Sequence, residues 1–269
     1  MSSGKTVVPE RILNAVLSQG KETDWTFEKA IEDGLITRDY PETLDLREEE
    51  WWQVGDQGGT SSCIGWASTD GMLRWHLVKA NKINKEDKLS VRYTWMASKE
   101  TDKFSEYPET FIENSGTPLK AAMEVLRKFG CVHEEVFPFT QGFVSNEYDT
   151  DSFYNLAAQL KIKGYYCLQY DEVFDIDKFK KWLFNVGPVL AMVDLDENFW
   201  NPYTDKTTVL KEYDKENQKG GHAVVLVGYT KDHFIIRNSW GTEYGDNGYV
   251  YATNEYMQAA FCEAYGITL

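Results

Sequence analysis

Three side chains of this sequence could together perform nucleophilic chemistry: the thiol of Cys63, the imidazole of His222 and the carboxamide of Asn238. Cys63 opens a helical period, with apolar or small residues at 64, 67, 71, 72, 75 and 78 and with Ser61 and Ser62 as candidate caps. A thiol at a helix start meets unpaired backbone N–H groups, which favour the thiolate, its nucleophilic form. The small residues before it, Gly58-Gly59-Thr60-Ser61-Ser62, let backbone and substrate approach closely. Alone this is weak, because a buried structural cysteine ahead of a helix is the commoner arrangement.

His222 follows Gly220 and Gly221 and opens Ala223–Tyr229, a run apolar enough to be buried on both faces of a sheet. A lone histidine there is as often structural as basic. The next run, His233–Arg237, leads into Asn238-Ser239-Trp240-Gly241 and changes that balance. If the two runs pair as a hairpin with Tyr229 opposite His233, paired position numbers sum to about 462. His222 then falls opposite Trp240, with Asn238 close by. A carboxamide accepting from the imidazole would fix its tautomer and orientation, and an indole over that bond would keep water off it.

The elements that must position these groups fall into two halves. Helical signals cover 64–78, then Leu119–Phe129 behind Thr117-Pro118 and ending at Gly130, then Asp177–Val186 before Gly187-Pro188. Short apolar runs follow at Val189–Val193, Ala223–Tyr229, Phe234–Ile236 and Tyr249–Tyr251, separated by turn residues. The pattern predicts an α+β fold, helical over about 40–150 and strand-rich over about 151–269, with a cleft where the parts meet.

Beyond the pairing argument, the motifs resemble those of papain-like cysteine proteases. Asp56-Gln57-Gly58 with Ser62-Cys63 resembles that family's active-site loop. Gly221-His222-Ala223-Val224 with Val227-Gly228-Tyr229 is similar to its histidine block, and Asn238-Ser239-Trp240-Gly241 to its asparagine block. The resemblance runs from about Tyr40 to Leu269 and implies a papain-like fold acting on protein or peptide substrates without a cofactor. It implies Cys63 as nucleophile, His222 as acid and base, Asn238 as the group orienting it, and Trp240 as its shield. Gln57 with the Cys63 N–H would form the oxyanion hole, and Asn114-Ser115-Gly116 offers Gly116 as the glycine that holds substrate backbone, next to Gly221 and Trp240. A tryptophan usual after the nucleophile is Ile64 here, and a half-cystine usual before it is Thr60.

Other readings use the same fold. An exopeptidase or a peptide acyl-transferase or ligase could close one cleft end with the insertion around Lys99–Glu113 or with the N-terminal extension. A non-catalytic binding protein is a third, weighed down by the retention of all four site residues. The extension, residues 1–39, carries two weakly amphipathic stretches, one through Ile12, Leu13, Val16 and Leu17 and one through Trp25, Phe27 and Ile31. The family's commonest inhibitory pro-segment is more than twice as long, so a brace on the outside of the fold is expected, with a short pro-segment as the alternative.

A net charge of −15 argues against nucleic acid and anionic membranes as partners. No apolar run reaches the ~18 residues that span a bilayer, and the first residues lack the apolar core of a signal peptide. The four cysteines include no Cys-x-x-Cys pair, and their spacing suggests neither a metal site nor a disulfide framework. Cytoplasm or another reducing compartment is the expected location. The oligomeric state is not legible.

Overall fold

Alternation along two neighbouring strands explains how the apolar runs are used. In β6 (Val189–Leu195) and β8 (Gly220–Tyr229), one set of side chains, Leu190 and Met192 with Ala223, Val225 and Val227, joins the core on one face of the sheet. The other set, Val189, Ala191 and Val193 with Val224 and Leu226, joins the core on the opposite face. Both faces are covered, so neither strand needs a polar side.

The computed structural model describes residues 10–48, 50–101, 116–139, 150–170, 174–204 and 208–269. Asn114, Ser115 and most of the 99–113 insertion lie outside the described residues. In chain order the remaining strands are β1 (Ala15–Val16), β2 (Trp25–Thr26), β3 (Leu44–Asp45), β4 (Thr117–Pro118), β5 (Gly164–Tyr170), β7 (Val209–Leu210), β9 (His233–Arg237), β10 (Tyr249–Thr253) and β11 (Phe261–Thr268). The helices are α1 (Phe27–Glu32), α2 (Cys63–Gly65), α3 (Arg74–Lys79), α4 (Val91–Thr101), α5 (Leu119–Lys128), α6 (Thr150–Ala158), α7 (Ile176–Asn185), α8 (Asn201–Thr204) and α9 (Asn254–Ala260). The main sheet runs β2-β5-β11-β6-β8-β9-β10-β7.

The architecture is α+β, as the sequence pattern implies, with the early helices on one face of the sheet. Helices α7 and α9 cover the other face, so the strand-rich half is not free of helices. Strands β5 and β11 were not anticipated; they pair with each other and carry the sheet to β6. The helix behind Cys63 continues through a π-helical stretch, Trp66–Leu73, before α3. Gly71 lies in it, where a Cβ would come within 2.6 Å of Val225 Cγ2, so the helix packs on β8 at a distance only glycine allows. Among the described residues no helix is long and apolar enough to cross a membrane.

The extension has two parts. Its later residues pack on the fold: β2 pairs with β5 and α1 follows, and just past the extension Tyr40 packs edge-on against Tyr229. Phe27 and Ala30 enter the core, whereas Trp25 and Ile31 are about half exposed. The earlier residues take another course, described with the site below. Because Phe27 is the one large side chain that α1 buries, Phe27→Ala is expected to cost about 3 kcal/mol of unfolding free energy, and Ile31→Ala less than about 1. Denaturant midpoints measure both, and equal losses would contradict this docking face.

Candidate active site

Cys63 begins α2, and the Ser62 side chain does not cap it. Ser62 is the N-cap but makes no capping bond; its Oγ meets Thr60 Oγ1 at 2.6 Å. Thr60 Oγ1 donates to Gln57 O at 2.7 Å, so hydroxyl bonds tie the loop where the family often has a half-cystine. None of the four cysteines forms a disulfide.

His222 sits at the mouth of β8, on the same strand face as Val224 and Leu226. Its Nε2 lies 2.8 Å from Asn238 Oδ1, and Ser239 N–H donates to the same oxygen at 2.8 Å. The amide oxygen is thereby fixed as acceptor, which makes Nε2 the protonated nitrogen and leaves Nδ1 as the basic one. Nδ1 is buried and has no hydrogen-bond partner. The Trp240 ring lies 5.0 Å from the imidazole and Phe199 lies 6.0 Å away, walling off the Asn238 contact.

The hairpin register anticipated this end of the ribbon and missed the other. Val225 pairs with Arg237 and Leu226 with Ile236, both summing to 462, but a bulge shifts Gly228 to Ile235 and Tyr229 to Phe234. The expected Tyr229–His233 pair is therefore displaced by one residue near the turn. Beyond the bulge the register is the one that carries His222 towards Trp240.

Gln57 is clamped by Ser239, whose role went unread in the sequence. Gln57 N–H donates to Ser239 O at 2.8 Å, and Ser239 Oγ donates to Gln57 Oε1 at 2.8 Å. Gln57 Nε2 donates to Thr60 O at 2.9 Å, which uses one of its two hydrogens. Gly241 N–H donates to Gly55 O at 2.9 Å, so the 55–60 loop and the 238–241 loop are one unit.

Residues 11–18 of the extension cross this unit. The weakly amphipathic stretch through Ile12, Leu13, Val16 and Leu17 is extended: Ile12 and Leu17 face solvent at 42% and 45% exposure, while Arg11, Ala15 and Ser18 turn inward. Partners on both sides impose the extended course. Ala15 pairs with Thr117 in β4 and with Gly221 in β8, and Thr117 N–H donates to Asn14 O at 2.9 Å. A Cβ on Gly221 would meet Ala15 O at 2.2 Å, and one on Gly116 would meet Val16 Cγ1 at 2.4 Å. Both glycines singled out as backbone-binding thus lie against an extended chain.

The segment is held at both ends. Upstream, Arg11 inserts between the loops and bonds Asp56 and Gly58 O. Downstream, Ser18 N–H donates to Glu263 Oε2 at 2.9 Å, and the buried Lys21 lies 3.9 Å from the same oxygen. Lys120 N–H donates to Ser18 Oγ at 3.1 Å, and the Lys120 ammonium pairs with Asp24 at 2.7 Å.

Under this cover the electrostatics differ from the sequence expectation of a thiolate. Cys63 is fully buried, and burial pushes its thiol up, against backbone hydrogen bonds with Ala223, Asn14 and Ile64 and the charge of Lys99. Burial likewise pushes His222 down to about 4, opposed by the Asn238 bond and assisted by the Arg11 charge. Both shifts favour neutral forms, so the helix-start effect is outweighed by desolvation.

Helices and sheet thus hold a buried thiol at the start of α2 and an imidazole–carboxamide pair at the mouth of β8, within an α+β fold. A model of the papain family cysteine protease matches residues 40–266, and the chain belongs to that family. A cathepsin L-like peptidase of Aedes aegypti is 26% identical over 78% of this chain and 58% of its own length. A cathepsin L-like proteinase of Fasciola hepatica is 26% identical over 79% of this chain and 60% of its own. The chain therefore spans about three fifths of these relatives. Among solved structures, xylellain, a cysteine protease from Xylella fastidiosa, superposes with a TM-score of 0.75 at 24% identity, covering 100% of this chain and 98% of that one. A procathepsin B from Trypanosoma congolense gives 0.68 at 15% identity over 96% and 86%.

The depressed His222 value links docking of the segment to pH. Between the ordinary imidazole value of 6.5 and about 4, the open form takes up a proton that the closed form refuses. Closure is thus unopposed by this group above 6.5 and is weakened as pH falls through that window. Glu263 and Asp24, both pushed up by burial, work in the opposite sense. Acid should therefore release residues 10–18 more readily in wild type than in His222→Gln, read by limited proteolysis at Ile12 and Leu17. Identical pH profiles would show that His222 is not desolvated by the segment.

Proposed function

We propose that the chain is a thiol peptidase whose site is closed by its own residues 11–18. The observation that carries this reading is the path of Asn14 and Ala15, which run beside Cys63 and against Gly221 where an extended peptide would lie. The unpartnered His222 Nδ1 supports the role of base: once the site opens, it takes the Cys63 proton. The thiolate then attacks the scissile carbonyl, and the oxyanion receives hydrogen bonds from Gln57 Nε2 and the Cys63 N–H. His222 gives the proton to the leaving amine, and later accepts one from the water that hydrolyses the thioester. Asn238 holds the ring, Trp240 covers that bond, and Gly116 and Gly221 bind substrate backbone. Protein or peptide chains are the substrates. The four free thiols fit a reducing compartment.

The full chain should alkylate slowly with iodoacetamide, and deletion of residues 1–19 should accelerate this at least about tenfold and switch on peptide hydrolysis. That deletion spares β2 and α1. In the deleted chain, Cys63→Ala should abolish hydrolysis, and Gln57→Ala should lower the rate roughly 10–1000-fold with little change in KM. A folded deleted chain that remains silent, or a Cys63→Ala variant that still cuts, sinks the proposal.

A further inference from the structure

The Arg11 side chain, only 3% exposed, occupies a pocket built for a guanidinium. Its Nη1 donates to Asp56 Oδ1 at 2.6 Å and to Gly58 O at 3.0 Å. Its Nη2 donates to the Tyr203 hydroxyl at 2.6 Å and to Trp240 O at 3.2 Å. The guanidinium carbon lies 5.6 Å from the Trp240 ring centre and 5.8 Å from that of Tyr203, within range of both π faces. Nε alone is without a partner. Four acceptors spread around two nitrogens suit a planar fork and not the single point charge of a lysine.

The acceptors do not depend on the extension. Asp56 Oδ1 accepts from Gly58 N–H at 2.8 Å, and Tyr203 donates to Trp240 O at 3.0 Å with its ring nearly parallel to the indole. The Gly241–Gly55 and Gln57–Ser239 backbone bonds hold the two loops together. A vacated pocket therefore keeps its carboxylate, hydroxyl and carbonyls in place. It is also made of the loops that carry Gln57 and Trp240, and it lies three residues along an extended chain from Asn14, beside the Cys63 thiol. A chain threading the cleft passes it within about 10 Å of the nucleophile.

We infer that this pocket is an arginine-selective substrate subsite, and that Arg11 fills it in place of a substrate arginine. The inference rests on the peptidase reading and narrows the substrates to peptides with an arginine within three residues of the cut, on the Trp240 side. The net charge of −15 favours the approach of such basic chains.

Two arms test it on the full chain. In the first, Arg11→Ala empties the pocket, Arg11→Gln serves as a second variant, and melting curves verify folding of both. Acetyl-arginine amide, titrated by calorimetry, should bind these variants at least about tenfold tighter than wild type, and acetyl-lysine amide at least about tenfold more weakly than the arginine probe. Adding Asp56→Asn should remove the arginine preference. Equal affinity for the two probes, equal binding to wild type, or no binding to folded variants overturns the inference. In the second arm, Arg11→Ala digests a peptide library, and arginine should be enriched at one fixed position beside the cut. Cleavage with a flat arginine profile overturns the subsite while sparing the peptidase reading. Absence of cleavage shows that residues 12–18 still close the site, and the binding arm then decides the pocket.

Discussion

Burial acts in one direction on the two groups at the centre of this molecule. Cys63 and His222 have no exposed surface, and removing water disfavours the charge on each, so the thiol is held protonated and the imidazole neutral. A thiolate–imidazolium pair needs solvent or a polar substrate to support it. On the proposed reading, the segment over the site holds the chemistry silent without disturbing the geometry: His222 meets Asn238, and Gln57 is clamped by Ser239. Opening the cleft restores hydration, and the helix start and the neighbouring backbone N–H groups can then favour the thiolate.

The framework could tolerate the proposed opening because its main parts are fixed independently of the extension. Strand β8 is buried on both faces between β6 and β9, and the helix behind Cys63 is seated on it at Gly71. Gly65 allows a second close approach, since a Cβ there would fall 2.8 Å from Val91 O and Trp95 Cβ. Below the site, Arg237 pairs with Asp70, which also pairs with Arg74 at 3.2 Å, joining β9 to the same helix. Removing one member would leave a buried charge alone, which is costly, so this network locks helix to sheet.

How much was legible in the sequence follows from the range over which each feature is determined. Cys63, His222, Asn238 and Gln57 stand in local blocks whose composition carries the chemistry, and the register near His222 follows from a short hairpin. The bulge at the turn and the turning of Ser62 Oγ to Thr60 instead of the helix start are local competitions that composition does not rank. Longer-range facts were hidden. The bond from Ser18 to Glu263 spans 245 positions, and nothing about Arg11 in isolation points to Asp56, Tyr203 and Trp240. The thiol's charge state was misread for the same reason, because the cover that desolvates it comes from a distant part of the chain.

The composition of the covering segment bears on how it leaves. Two of its large apolar side chains, Ile12 and Leu17, face water and two, Leu13 and Val16, are partly buried, while the residues beside Cys63 and Gly221, Asn14 and Ala15, are small. Its ends are anchored by Arg11 among acceptors and by Ser18 and Lys21 at Glu263, and its middle by backbone pairing with β4 and β8. An apolar plug would resemble core and come out only with a large loss of buried area. A segment held by polar anchors gives up bonds that another chain, or water, can replace one for one. Docking of this kind can be displaced by competition, and the most effective competitor is a chain that presents the same cationic groups to the same acceptors. On the proposed reading, the cover fits the cleft closely enough to exclude water, yet is held by polar bonds that another chain can take over.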